Sequence, residues 1–165
     1  MTQVTGFDYL KAFDQAAGQI LEEVLGETPA KGAPLAQFGS AIHLQPVNVN
    51  VGIAGALAGY VRLGMDLATA HAVAGVMLGE EVTELEEMSL SALSELGNMI
   101  AGSARSSLNE SGQVSDITPP SILFGEGAQE IWYNLRTVSI PLELSLGTVH
   151  LAVGIRPNAA KGPQA

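Results

Sequence analysis

The sequence contains no cysteine, which excludes a disulfide framework and every thiolate metal site. It is poor in positive charge. Seven Lys and Arg stand against seventeen Asp and Glu, for a net charge of −10. Nucleic-acid affinity rests mainly on Lys and Arg, so a phosphate-backbone partner is excluded, as is an anionic membrane surface. Long apolar runs are missing too. The longest, "VGIAGALAGYV", has 11 residues, too few to cross a bilayer as a helix. The opening stretch "MTQVTGFDYL" lacks the basic and apolar regions of a secretory signal, so a cytoplasmic protein is expected. Three histidines, His43, His71 and His150, are scattered without an i, i+4 pair. They read as surface or boundary residues, and no metal site is expected. GxGxxG, GxxxxGK[ST] and GxSxG are all absent, which removes the standard nucleotide loops and the serine-hydrolase elbow.

What is present is a chain of 165 residues, 47% hydrophobic and only 15% charged, long enough for one domain with a substantial core. Phe13, Ala17, Ile20, Leu21 and Val24 recur at helical spacing over residues 7–25, and Gly26 is placed to end that helix. Residues 35–45 and 47–62 read as two strands. Val47, Val49, Val51 and Ile53 alternate onto one face of the second. Gly52, Gly55 and Gly59 mark a bulge or close packing there. "MDLATAHAVAGVMLG" is a short helix with Asp66 as N-cap and Gly79 as stop. "EEVTELEE" is an acidic lead-in to a long helix over 87–110, where negative charge at a helix N-terminus is favourable. "SDITPPSILFG" gives a loop and a strand. Residues 132–146 and 148–156 read as long strands joined near "SLGT". The expected fold is α+β: one domain over 1–156, an antiparallel sheet with two long helices and a short helix on one side, then a flexible tail over 157–165.

The long helix carries the one unusual feature. On a helical wheel Leu93, Leu96, Ile100 and Ala104 form a core face. Ser91, Glu95, Asn98, Gly102 and Arg105 fall in a narrow stripe opposite. Glu95 and Asn98, at i and i+3, can engage one target together. The stripe is not the usual Lys/Glu surface, and Ala101 and Ser103 lie beside it. Gly97 and Gly102 each cost about 1 kcal/mol inside a helix, which makes sense where another surface comes close. An ordinary solvated helix back remains the alternative for the pair taken alone.

The block "SALSELGNMIAGSA", with "LGEEVTEL" before it and "ITPPSILFG" after it, resembles the CheC/CheX/FliY family of chemotaxis phosphatases, most of all the CheX branch. The family pattern is Asp or Ser, three residues, Glu, two residues, Asn, then a proline somewhat over twenty residues on. Here those are Ser91, Glu95, Asn98 and Pro119 or Pro120. The first helix, "KAFDQAAGQILEEVLG", carries no second Glu-xx-Asn pair, so one site per chain is expected. The resemblance implies a phosphatase acting on the phospho-aspartate of a CheY-type response regulator. Asn98 would orient the attacking water and Glu95 would pair with a regulator lysine, with Ser91, Gly102 and Arg105 at the contact. It also implies a homodimer, no cofactor of the chain's own, and Mg²⁺ in the partner regulator. The strands over 131–156 offer an edge for joining sheets. A docking module that binds the phosphorylated regulator without hydrolysing it stays open, as does a purely structural dimerisation domain.

Overall fold

The alternating valines become the helix-facing side of β4 (Val47–Gly55), with Val47, Val49, Val51 and Ile53 all buried. The computed structural model describes residues 6–158. In chain order these hold α1 (Gly6–Leu25), β1 (Ala30–Lys31), β2 (Leu35–Gln37), β3 (Ile42–His43), β4, β5 (Leu57–Met65) and α2 (Leu67–Leu78). There follow α3 (Glu87–Glu110), β6 (Ser115–Ile117), β7 (Ser121–Phe124), β8 (Gln129–Glu130), β9 (Thr137–Leu144) and β10 (Gly147–Pro157). The main sheet is antiparallel, in the order β1-β9-β10-β5-β4-β6. β2 also pairs with β9, β7 also pairs with β4, and β3 with β8 forms a separate ribbon.

The three helices share one core with the sheet. Phe13, Ala17 and Leu21 of α1, Val73 and Ala74 of α2, and Leu93, Leu96, Ile100 and Ala104 of α3 are all fully enclosed. From β5, β9 and β10 come Leu63, Leu142, Val149 and Leu151. Each such large side chain stabilises the fold by about 1.5–3 kcal/mol before conformational entropy is charged against it. The opposite face of the sheet is also covered. Buried Arg62 donates from Nε to Asn50 Oδ1 (2.8 Å), pairs with Glu130, and lies 4.8 Å from the Tyr60 ring. Tyr60 stacks on Trp132 and shares a 2.8 Å hydrogen bond with Thr137.

The helices follow the sequence reading closely; three of the strands do not. Residues 47–62 are not one strand but the hairpin of β4 and β5, turning at Ala56. Gly55 (φ +129°) and Gly59 (φ +151°) take conformations that L side chains rarely adopt. A Cβ on Gly59 would lie 1.8 Å from the Gly154 carbonyl oxygen, so that glycine marks close packing between neighbouring strands. Residues 35–45 break into β2 and β3 because Gly39 turns at φ +67° between them. The strand read as 132–146 begins only at Thr137. The "SLGT" turn is present, with Gly147 at φ +133°. The edge expected from 131–156 is not free: β10 lies inside the sheet, and β9 is covered by β1 and β2. β10 reaches Pro157, and Asn158 hydrogen-bonds to the Ala56 and Gly55 carbonyls; the rest of the expected tail lies outside the described residues.

Asp66 is the N-cap of α2, its Oδ1 accepting from the Thr69 amide at 2.7 Å, and Gly79 closes the helix at φ +69°. Hydrogen bonds from Thr69, side chain first and then backbone, hold the Asp66 carboxyl below its ordinary value. A depressed folded value means stability that is present above the unfolded pKa and lost as pH falls. Asp66→Ala is therefore expected to cost about 1 kcal/mol at neutral pH. The difference from wild type should fade as pH drops from about 4 through the lower folded value. Urea titrations of both proteins at a series of pH values check this; a difference that persists undiminished at low pH would rule the cap out.

Candidate functional site

The site is built on α3. Its N-terminus is fixed by a reciprocal cap: the Glu86 side chain accepts from the backbone amide at Ser89, while Glu86 N–H donates to Ser89 Oγ at 2.7 Å. Along the helix, every fourth or third residue is locked into the core, and the opposite stripe is left outward. Ser91 and Glu95 are exposed, and Asn98, Gly102 and Arg105 are half-buried. Among the described residues, the side chains of Glu95 and Asn98 form no hydrogen bond or ion pair within the chain. A carboxylate and a carboxamide thus stand one turn apart on a ridge with no internal partner to satisfy. Neither residue lines the acidic cleft at Leu78–Ser89 that precedes the helix.

The two glycines of α3 differ. Gly102 has open space where a Cβ would be, in keeping with the outward stripe. Gly97 faces inward, and a Cβ there would lie 2.6 Å from Val49 Cγ1. The surface that comes close at Gly97 is the chain's own strand β4. Ala101, read from the sequence as lying beside the stripe, is fully buried. Arg105 is turned to β6: Nε donates to the Ser115 carbonyl (3.0 Å) and a terminal nitrogen pairs with Asp116 (2.9 Å). It holds the edge strand against the helix.

That edge strand contains the prolines. β6 pairs with β4 at Ile53↔Ile117, and β7 resumes at Asn50↔Ser121. Residues 118–120 therefore oppose only residues 51–52, which is a β-bulge. The prolines have no N–H to give, and Thr118 supplies the bonding instead. Its amide donates to the Gly52 carbonyl (2.9 Å), and its Oγ1 accepts from the Gly52 amide (2.8 Å). A Cβ on Gly52 would meet Thr118 at 2.9 Å, so Gly52 marks close packing opposite the bulge. Pro119 is exposed and Pro120 half-buried.

Little else offers chemistry. His43 is exposed, and His71 and His150 are half-buried; burial lowers the His150 pKa, against a weaker opposing pull from Asp66. Among the described residues no group of three His, Asp or Glu side chains could hold a metal ion, and no helix is long and apolar enough to cross a membrane.

Comparison with known proteins bears on this geometry. The family model for chemotaxis phosphatase CheX matches residues 47–143. The chain is similar to the CheY-P phosphatase CheX of Thermotoga maritima, 36% identical over 108 residues, covering 65% of this chain and 69% of that protein. It superimposes on CheX in the crystal structure of the CheX–CheY–BeF3–Mg²⁺ complex from Borrelia burgdorferi with a TM-score of 0.77. Identity there is 31%, over 90% of this chain and 98% of the other. The chemotaxis protein CheX from Desulfovibrio desulfuricans gives a TM-score of 0.78 at 26% identity, over 92% and 99% of the two chains.

Proposed function

The chain belongs to the CheX family of chemotaxis phosphatases, and from that premise we propose that it hydrolyses the phospho-aspartate of a CheY-type response regulator, using Asn98 and Glu95. The observation that carries this assignment is the outward pair on α3 with no partner of its own. In the reaction a water oxygen attacks phosphorus in line, the bond from phosphorus to the aspartyl oxygen breaks, and the products are inorganic phosphate and the free carboxylate. The transition state asks mainly for positioning and charge neutralisation. An amide suits the first task. Its oxygen accepts a hydrogen bond from the water, its NH₂ can donate, and it brings no charge toward a dianionic phosphoryl group. A carboxylate in that place would repel the phosphoryl oxygens. Glu95, one turn earlier, pairs instead with a lysine of the regulator and sets the register of docking.

The magnesium ion is assigned to the regulator, where it neutralises charge on the phosphoryl group; this chain supplies no cofactor. Ser91 and Gly102 flank the contact. Arg105 borders it while tied to β6. The same reading places the protein in the cytoplasm, with its regulator.

Asn98→Ala is expected to lower stimulated dephosphorylation about 10²-fold or more while the fold stays intact. Glu95→Gln should weaken binding to a regulator carrying a stable phosphoryl mimic, with the wild-type reaction slowing as salt rises. The two are separated by measuring mimic binding beside loss of phosphate from the labelled regulator. Full activity in Asn98→Ala would sink the catalytic assignment, and binding without hydrolysis by the wild type would leave a docking module. Normal mimic binding by Glu95→Gln at every salt concentration, with unchanged hydrolysis, would remove the lysine pairing.

We also propose a homodimer presenting two such ridges, from the family resemblance and the single Glu-xx-Asn pair per chain. Exposed Leu35 and Phe38 near β2 provide apolar surface for it. Light scattering at micromolar concentration should give twice the 17.1 kDa chain mass, and a purely monomeric species would overturn the proposal.

A further inference from the structure

We infer that Gly97 is a positioning residue: lacking a side chain, it seats α3 against Val49 and thereby fixes how far Asn98 and Glu95 stand above the edge strand beside them. The inference rests on the catalytic reading of that pair. Gly97 lies between the two residues in sequence and on the buried side of the helix. The atom a Cβ would meet is Val49 Cγ1 at 2.6 Å, with Val51 Cγ2 at 3.8 Å, whereas ordinary contacts lie at 3.4–4 Å. Val49 and Val51 are each 1% exposed, in the centre of β4. A β-branched side chain in a packed strand has no free rotamer to move into. The helix must therefore give way. Closing the shortfall at this contact needs a local displacement of about 1 Å, a misplacement able to cost about 10²-fold in rate when it reaches reacting groups.

Moving α3 matters only if the regulator also rests on something other than α3. Interface size requires that it does. A specific contact covers about 800 Å² on each partner, far more than the stripe from Ser91 to Arg105 presents. The neighbouring surface is the edge strand β6–β7 with its Pro119–Pro120 bulge; β7 is hydrogen-bonded to β4, and β6 to β4 and, through Arg105 and Asn109, to α3. Lifting α3 off β4 changes the height of Asn98 relative to that strand. Glycine inside a helix costs about 1 kcal/mol against alanine, and Gly97 stands where the backbone approaches β4 closely.

The test uses the full chain and the regulator that the wild type dephosphorylates. Helix propensity alone predicts that Gly97→Ala raises the melting temperature; the contact with Val49 predicts that it falls. Gly97→Ala is expected to lower kcat about 10- to 10²-fold while binding of the beryllofluoride-loaded regulator stays within about threefold. Val49→Ala removes the obstructing methyl groups. The double variant Gly97→Ala/Val49→Ala should regain kcat to within about threefold of Val49→Ala alone. A folded Gly97→Ala protein with wild-type kcat overturns the inference, and so does a folded double variant that stays slow. Should Gly97→Ala fail to fold, the double variant against Val49→Ala decides by the same criterion. Asn98→Ala run alongside keeps the two questions apart: if it is fully active the catalytic reading fails, and if it is inactive while Gly97→Ala is not, only the positioning role fails.

Discussion

The structure depends on β4 more than on any other segment. Its hydrogen bonds run to β5 on one side and to β6 and β7 on the other, so it joins the edge of the sheet to its interior. Its valines carry α3, and its asparagines serve the other face. Asn48 Nδ2 donates to the Gln45 and Leu123 carbonyls, and Asn50 accepts from Arg62. A period of two along nine residues thus decides which groups meet the helices and which meet the covering loops. Slipping the register by one residue would exchange valine for asparagine in the core, a change too costly to populate.

The site that rests on this strand is a ridge. Enzymes that bind small substrates gather their groups in a cleft that excludes water. Here two unpartnered side chains project from a helix, and in the proposed reaction the enclosing walls come from the regulator. That division explains why so little chemistry is visible in the chain. Under the function proposed above, a reaction whose metal and lysine reside in the substrate protein would need from its catalyst a neutral hydrogen-bonding group, a docking charge and a rigid platform to hold both.

Much of this was legible in the sequence because it is local. The core face of α3, its limits at 87 and 110, the caps at Asp66 and Gly79 and the outward direction of Glu95 and Asn98 all follow from helical period and end chemistry. What escaped depends on partners distant in the chain. The turn at Ala56 was hidden because apolar residues run through both strands; the positive φ values of Gly55 and Gly59 are its only mark. Arg62 and Glu130 form their partly buried pair across 68 residues, which no spacing rule connects. Gly97 was noticed for its helix cost, but its neighbour proved to be Val49 rather than a visiting surface, since only the packed structure shows which side of the helix the missing Cβ would enter.

The bulge at Thr118–Pro120 has a bearing on how the protein behaves when crowded. A chain in the sheet next to β4 would ordinarily offer a continuous row of amides and carbonyls, a template on which any passing extended segment could polymerise. Two consecutive prolines interrupt that row, and the extra residue throws the β6 and β7 halves out of common register. Exposed Leu123 and Phe124 on β7 would otherwise make this a sticky border of the molecule. The same kink that shapes the ground beside the functional ridge therefore also works as a guard against amyloid-like stacking.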